Sequence, residues 1–472
     1  MTSQSGTRMY GLKSKCLSFP ETLSQSVANI SPTLTPVVIV PLVFASAGSG
    51  TWLSYLFATI GLILVGMNIN QFARRSASPG SLYSYIGRGL GAPAGFLAGW
   101  CLLIAYLFTA MSVLSGAVNY AAILLNMAGL HVWNAVLFAV GVAIAWYVAY
   151  RDVKLSTKVM LLLEGVSMLL ILALGAIVVI HRGTAYDASQ FNIAAMDLSG
   201  VKAGLILAIF SYVGYESATT LGEEARNPLK NIPRAVILSA AISGIFFMLT
   251  SYIAVLGFKG LKTSLGASSA PFNDLADSVG VAWFGMLISA GAVISLFACT
   301  LASINAASRI LFAMGRHGIF HARLSNAHSV NQTPHFAASL ASVLVLVGPL
   351  ALLVAHVAVL DIFNDLSTIA TFGFLVVYVL ISVAAPAYLK REGRLTAGAV
   401  VLSVVSVLFM MPPIIATVYP TPAPPADKFP YYFIAYVVVG MVWFTMLRRS
   451  AGRRVIDAIK EDLDLSVAPV SE

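Results

Sequence analysis

Two glutamates lie within segments that are otherwise apolar and long enough to cross a lipid bilayer. Glu216 follows the apolar run 205–210, and Glu164 lies near the middle of the apolar segment 157–181. A carboxyl group at membrane depth is energetically expensive, so it indicates a functional site. Glu216 could contact a solute in a hydrated cavity, and Glu164 could carry a proton. The structural alternatives are that Glu216 braces its own helix and that Glu164 is a neutral, hydrogen-bonded glutamate.

Helix-breaking residues interrupt the first and the sixth apolar segments. The first contains Pro32, Pro36 and Pro41, and proline removes a backbone donor. The sixth contains Gly214, which weakens a helix. Interrupted helices within a bilayer are tolerated only where the free backbone groups face protein or water. Interrupted helices at matching positions of two halves indicate an inverted repeat with a binding site between them.

Composition places most of the chain in a membrane. The residues are 58% hydrophobic and 10% charged, with a mean hydropathy of +0.87. About twelve apolar segments approach the roughly 20 residues that a membrane-spanning helix needs. They are 24–47, 51–72, 93–126, 132–150, 157–181, 205–221, 235–258, 281–314, 336–356, 362–389, 397–419 and 431–447. The predicted fold class is therefore an all-α membrane protein with about 12 transmembrane helices.

The distribution of positive charge predicts the orientation in the membrane. The net charge of +9 could suggest nucleic acid, but 23 of the 28 Lys and Arg fall on one side of the predicted spans. The remaining five are Arg182, Lys202, Lys259, Lys262 and Lys428. Cytoplasmic loops are rich in Lys and Arg, so both termini are predicted to be cytoplasmic. The basic excess then reflects topology, with some attraction to anionic inner-leaflet lipid, and no nucleic-acid partner is predicted.

The domain prediction is one transmembrane domain, 24–447, between cytoplasmic tails 1–23 and 448–472. The repeats are predicted at about 24–182 and 203–390, with extra helices at about 397–447. The first 20 or so residues are polar and basic, so no cleavable signal peptide is expected. Residues 78–91 are too polar to span and are predicted to form an interfacial helix. Three cysteines provide no disulfide framework.

Several motifs resemble those of the amino acid–polyamine–organocation permeases, over nearly the whole chain. These are residues 79–85 (PGSLYSY), 91–96 (GAPAGF), 210–216 (FSYVGYE), 223–228 (EEARNP), 232–235 (IPRA) and 308–318 (SRILFAMGRHG). The resemblance implies two inverted five-helix repeats plus two helices, the fold of the leucine transporter. It also implies secondary transport of amino acids or related amines, often coupled to protons.

The resemblance also implies where a substrate binds. Backbone N–H groups of the first break bind the substrate carboxylate, and the matching positions are Ile30, Ser31, Pro32 and Thr33. The sixth-span break supplies carbonyls for the ammonium group and an aromatic lid, at Phe210, Ser211, Tyr212, Gly214 and Glu216. Two departures matter: the first break lacks the usual glycine-rich string, and the lysine of some proton-coupled members aligns with Ser167.

Further candidate residues are identified by their type and by their position in the predicted spans. Tyr106 could line the cavity, although aromatic residues in membrane spans commonly serve packing. Thr300 and Ser303 could complete a sodium site, since oxygen ligands suit hard cations, or form interhelical hydrogen bonds. Glu164, one turn before Ser167, is the candidate for proton coupling. No metal site is assigned to His317 and His321, and no cofactor or catalytic residue is predicted.

The sequence thus predicts a secondary active transporter that imports an amino acid or related amine across the plasma membrane, a bacterial inner membrane, by alternating access. Its partners are the substrate, H+ and the lipid bilayer. The alternatives are an amino acid/polyamine exchanger, a sodium-coupled symporter and a nutrient sensor on the same fold. An enzyme is not expected, because the spans lack a nucleophile–base or metal constellation. A channel would need a continuous polar pore.

Overall fold

The computed structural model describes residues 11–450 except 269, 420 and 423. Within that part the regular structure is helical, apart from one isolated bridge between Leu17 and Ala225. The helices are α1 (Phe19–Ile30), α2 (Val40–Ala47), α3 (Thr51–Ala73), α4 (Ser81–Leu90), α5 (Ala92–Met127), α6 (Asn134–Arg151), α7 (Val153–Arg182), α8 (Leu198–Phe210), α9 (Pro228–Phe258), α10 (Pro271–Ser278), α11 (Ala282–Arg316), α12 (His335–Val354), α13 (Val359–Arg391), α14 (Ala397–Ala416) and α15 (Phe429–Ser450).

The predicted all-α membrane class is confirmed. Ten helical stretches of the described residues are long and apolar enough to cross a membrane. One of them, Phe19–Ala73, covers both the first and the second predicted spans, and the sixth span corresponds to the shorter α8. The number of crossings, the repeats and the domain boundaries stay predictions. Residues 1–10 and 451–472 of the predicted tails lie outside the described residues.

Two helices begin earlier in the chain than the apolar pattern predicts. α1 begins at Phe19, inside the predicted tail 1–23, whose boundary stays a prediction. Glu21 accepts hydrogen bonds from the Ser18 N–H at 2.7 Å and from its hydroxyl at 2.8 Å. Asp152 likewise caps α7 by accepting from the Lys154 N–H at 2.8 Å. Polar capping residues extend a helix beyond its apolar residues, so hydropathy alone predicts that these helices start too late in the chain.

The first predicted span is interrupted in its middle. α1 ends at Ile30, and Ser31 adopts a left-handed conformation with φ 51° and ψ 68°. The chain then forms a π-helical turn, Thr35–Ile39, before α2. Pro36 lies within that turn and cannot donate a backbone hydrogen bond. Turns of this kind are frequent at functional sites.

The sixth predicted span is interrupted as well. α8 ends at Phe210, residues 211–216 form turns, and a short 3-10 helix follows at Ser217–Leu221. Gly214 has a φ of +89°, which favours glycine. A Cβ atom at this position would lie 1.8 Å from Asn29 Nδ2, so the two breaks are in direct contact.

The loop predicted to lie at the membrane interface forms a helix, α4, but it is not on the surface. Residues 81–89 are buried, and α4 packs between α5 and α13. At Gly89 a Cβ atom would lie 2.6 Å from the Ala384 carbonyl oxygen of α13, so the small residue permits this close approach. The helix is therefore packed inside the protein, where its small residues permit close approach, and its depth relative to the membrane stays a prediction.

Contacts between segments close the protein at the end that contains Leu17, Glu224 and Arg309, which we call the inner end. The Leu17 N–H donates to the Glu224 carbonyl at 2.9 Å, and the Arg226 N–H donates to the Leu17 carbonyl at 2.8 Å. The Arg309 guanidinium contacts both carboxylate oxygens of Glu224, at 2.6 and 2.7 Å, and both side chains are buried. The charge distribution predicts that this end is cytoplasmic.

Candidate functional site

A cavity of about 250 Å³ lies between the two interrupted helices. The first break contributes Asn29, Ile30 and Ser31, and the sixth contributes Phe210, Ser211 and Val213. The remaining walls come from α2, α5, α8, α11 and the first turns of α13. Since α13 begins at the end opposite the inner end and its Asn364 is exposed, the cavity reaches the surface on that outer side.

Asn29 is the polar side chain that connects the two breaks. Its Oδ1 accepts a hydrogen bond from the Ser303 hydroxyl at 2.7 Å, and its backbone carbonyl accepts one from Cys299 at 3.2 Å. Its Nδ2 has no hydrogen-bond partner among the described residues, although the side chain is buried. An unpaired buried donor is costly, so a group that enters the cavity and accepts this hydrogen bond would be favoured.

Glu216 is buried between two tyrosines. The Tyr106 hydroxyl donates to Oε1 at 2.7 Å, and the Tyr378 hydroxyl donates to Oε2 at 2.6 Å. The Gly214 N–H in turn donates to the Tyr378 hydroxyl oxygen at 3.2 Å. Both carboxylate oxygens are thus engaged by α5 and α13, and the carboxylate fixes the turn that contains Gly214. Glu216 is not among the residues that line the cavity.

Glu164 is fully buried in α7 and is connected to the cavity by two hydroxyl groups. The Ser295 hydroxyl lies 2.9 and 3.0 Å from its two carboxyl oxygens. The Ser31 hydroxyl lies 3.0 Å from that of Ser295, and Ser31 lines the cavity. Ser31, Ser295 and Glu164 therefore form a continuous hydrogen-bonded chain from the cavity into the protein. No Lys or Arg is hydrogen-bonded or ion-paired to Glu164 within the described part of the chain.

The other ion-coupling candidates form hydrogen bonds between or within helices. Ser167 donates to the Gly291 carbonyl at 2.8 Å, and its hydroxyl lies 2.6 Å from that of Thr33. Thr300 donates to the Leu296 carbonyl of its own helix at 2.9 Å. Ser303 donates to Asn29, as described above. Each of these hydroxyls thus has a structural partner.

The predicted substrate-binding residues divide into two groups. Ile30, Ser31, Phe210 and Ser211 line the cavity. The others support its walls and are not among the lining residues: Pro32, Thr33, Tyr106, Tyr212, Gly214 and Glu216. The Tyr212 hydroxyl, for example, lies 2.7 Å from the hydroxyl of Thr59 on α3. Sequence analysis named both breaks, but it did not separate lining residues from supporting ones.

Three residues that the sequence analysis did not single out are central to this geometry. Asn29 precedes Pro32 by three residues in the first apolar segment, so an amide at this place was a usable signal. Ser295 and Tyr378 carried no such signal, because a serine or tyrosine in an apolar span is common. Their importance depends on partners that lie 131 and 162 residues away in the chain.

Comparisons with known proteins find similarity over most of the chain. The family model for amino acid permeases matches residues 22–449. The branched-chain amino acid permease BcaP of Bacillus subtilis (strain 168) is 25% identical over 368 residues, 74% of this chain and 75% of that protein. The low-affinity putrescine importer PlaP of Escherichia coli (strain K12) is 26% identical over 307 residues, 64% and 66% of the two chains. The vacuolar cationic amino acid transporter 4 of Arabidopsis thaliana is 27% identical over 306 residues, 61% and 50%.

Proposed function

Because the chain belongs to the amino acid permease family, and is a multi-pass membrane transporter of amino acids or amines, we propose that it imports a neutral amino acid. Transport would cross the plasma membrane with both termini cytoplasmic, and it would be driven by protons through alternating access. The cavity between the two breaks is the observation that carries this proposal. At about 250 Å³ it lies just below the range of about 300–1,000 Å³ typical of pockets for larger ligands. This size suits a single amino acid.

The cavity walls favour a neutral substrate over a polyamine or a basic amino acid. No Asp, Glu, Lys or Arg is among the described residues that line it. The nearest intramembrane acid along the sixth segment, Glu216, has both oxygens occupied by tyrosine hydroxyls. A polycation would need carboxylates in the cavity to replace its water shell. Leu34, Val38 and Val113 form part of an apolar wall that suits an aliphatic side chain.

The polar groups of the cavity support a specific orientation of the substrate. The unpaired Asn29 Nδ2 is a donor at the first break and would bind the carboxylate. The Ser31 hydroxyl would join it when a protonated Glu164 donates to Ser295 and Ser295 donates to Ser31. The break after α8 exposes backbone carbonyls, which are the acceptors that an ammonium group needs. The aliphatic side chain would then lie against the apolar wall.

The hydrogen-bonded chain from Ser31 to Glu164 supports coupling to protons. A buried carboxylate without a cation is costly, so Glu164 would be occupied by a proton when the cavity is closed and would exchange it through the two serines. The sodium alternative has less support, since the hydroxyls of Thr300 and Ser303 form hydrogen bonds to protein groups.

The proposal is tested with the purified full chain in liposomes. Thermal unfolding is first measured across the amino acids and several polyamines, because a ligand that binds the folded state raises Tm. Uptake of each stabilising compound is then followed under a proton gradient, under a sodium gradient, and with unlabelled compound inside. We expect stabilisation by neutral aliphatic amino acids and accumulation under the proton gradient. Stabilisation by polyamines alone would contradict the neutral substrate, and uptake only in exchange would contradict proton-driven import.

A further inference from the structure

A second cavity opens on the protein surface at the inner end of the molecule, the end that contains Glu224 and Arg309. It has a volume of about 800 Å³ and is formed where the first turn of α1, the end of α3 and the first turns of α9 meet. It is separate from the cavity between the breaks and shares no lining residue with it. Nothing in the transport mechanism above uses it.

Three cations surround this groove without an acidic partner. Arg74 follows α3, and Lys230 and Arg234 lie one turn apart on α9; all three side chains are exposed. The ion pairs among the described residues join Lys13 to Asp152, Lys259 to Asp187 and Arg309 to Glu224, so none involves these three. No Asp or Glu is among the groove-lining residues that the structure describes. A positive groove of this kind attracts an anion.

A buried amide adds a second requirement on the ligand. Asn70 lines the groove and is only 5% exposed. Its Nδ2 donates to the Pro233 carbonyl at 3.0 Å, while its Oδ1 has no partner among the described residues. Since Oδ1 can only accept a hydrogen bond, it would be satisfied by a hydroxyl or ammonium donor. The ligand should therefore carry a donor beside its negative charge.

The rim of the groove is apolar where it faces away from the protein. Leu229 and Leu238 on α9 are 46% and 40% exposed, and Phe19 of α1 also contributes to the lining. Because the groove lies at the ends of membrane-spanning helices, these side chains are positioned to face acyl chains. A soluble anion would gain nothing from them, whereas an amphiphile would bury them.

We propose that this groove binds an anionic phospholipid of the inner leaflet, of the phosphatidylglycerol type. The phosphate lies among Arg74, Lys230 and Arg234, a headgroup hydroxyl donates to Asn70 Oδ1, and the acyl chains follow Leu229 and Leu238. Basic pockets between membrane helices on the cytoplasmic side are known to suit lipid headgroups. This inference does not depend on the transported substrate or on proton coupling.

The test measures lipid binding to the purified full chain in detergent, by native mass spectrometry and by thermal unfolding. Phosphatidylglycerol is compared with phosphatidylcholine and with soluble glycerol phosphate. The variant is R74Q/K230Q/R234Q, and the matched control is R323Q/K390Q/R394Q, which removes the same charge from exposed positions predicted on the same side. Each surface cation contributes about fivefold to anionic-lipid binding, so the variant should bind phosphatidylglycerol on the order of 100-fold more weakly.

We expect phosphatidylglycerol to raise Tm of the wild type and the control above the value in phosphatidylcholine, and not to do so in the variant. The single change Lys230→Gln, at an exposed position, should give a partial loss and covers the case in which the triple variant does not fold. Equal binding by wild type and K230Q or the triple variant would overturn the proposal. A stabilisation by glycerol phosphate as large as that by the lipid would also overturn it, since the site would then recognise a soluble phosphate.

Discussion

At the residue scale, the partners of each buried carboxyl group decide what that group can do. Glu216 offers two oxygens, and both accept hydrogen bonds from tyrosines of other helices. This geometry supports a bracing role, in which the carboxylate holds α5, α13 and the Gly214 turn together. Glu164 has a single hydroxyl beside its two oxygens and a route to the cavity. This geometry supports a role in proton exchange.

Replacing Glu216 with Gln should lower stability more than substrate affinity. The amide NH2 of Gln cannot accept a hydrogen bond from a tyrosine hydroxyl, so one buried hydrogen bond is lost, at a cost of about 1–3 kcal/mol. We expect a lower Tm and a KM close to the wild-type value for the protein that remains folded. Glu392→Gln, at an exposed glutamate, is the control. A large rise in KM at unchanged Tm would instead indicate that Glu216 contacts the substrate.

Replacing Glu164 with Gln should abolish proton-driven accumulation while exchange of substrate survives. Gln has nearly the same shape and can still accept from Ser295, but it cannot release a proton. Uptake is measured in liposomes with and without a proton gradient, and counterflow is measured with substrate on both sides. Glu392→Gln again serves as the control. Full accumulation by the Glu164 variant would rule out this residue as the proton carrier.

At the element scale, the two interrupted helices are in direct contact at Asn29 and Gly214. The break in the first span is local, since α1 ends at Ile30 and Ser31 adopts a left-handed conformation before the π-helical turn. The break in the sixth span depends on a residue that tolerates a positive φ beside another backbone. The breaks can therefore meet only if position 214 has no side chain.

Gly214→Ala should severely impair both folding and transport. The added methyl group would overlap Asn29 Nδ2, and a positive φ costs a non-glycine residue about 1–3 kcal/mol. The yield of folded protein, Tm and uptake are compared with those of Gly398→Ala. Gly398 lies in α14, and a Cβ atom there would meet nothing within 4 Å. Wild-type behaviour of the Gly214 variant would show that the breaks do not depend on this contact.

At the scale of the whole molecule, the two ends differ. The cavity reaches the surface on the outer side, whereas the inner end is closed by main-chain pairing of Leu17 with Glu224 and Arg226 and by the buried Glu224–Arg309 pair. The Gln25 side chain also donates to the Ala302 carbonyl at 2.8 Å and ties α1 to α11. With the predicted orientation, this arrangement would correspond to an outward-facing state, and the proposed alternating access would require these inner contacts to separate.

Glu224→Gln should therefore destabilise the protein strongly, because it leaves the Arg309 charge buried without a counter-ion. Removing one partner of a buried ion pair costs about 3–5 kcal/mol. The double variant E224Q/R309M should recover much of this loss in a double-mutant cycle of thermal unfolding. The contrast is Lys13→Gln, which breaks a pair with Asp152 whose side chains are 35% and 32% exposed, and which should cost no more than about 1 kcal/mol after solvent screening. Equal costs for the two single changes would contradict the closing role of the buried pair.

The sequence by itself determined the features that depend on local composition. The lengths of the apolar segments indicated membrane-spanning helices. The prolines and Gly214 indicated the two breaks. Glu164 and Glu216 became candidates because they are acids within apolar segments. Helix ends were placed less well, because caps such as Ser18 and Asp152 are polar. The family resemblance followed from motifs that are contiguous in the chain.

Only the tertiary structure decided how those residues are used. Glu216 meets tyrosines 110 and 162 residues away, and Glu164 meets a serine 131 residues away. Burial of α4 and the contact of Asn29 with Gly214 likewise depend on helices distant in sequence. Hydropathy and helix propensity describe neighbours along the chain, whereas a buried hydrogen bond depends on which side chains packing brings within about 3 Å.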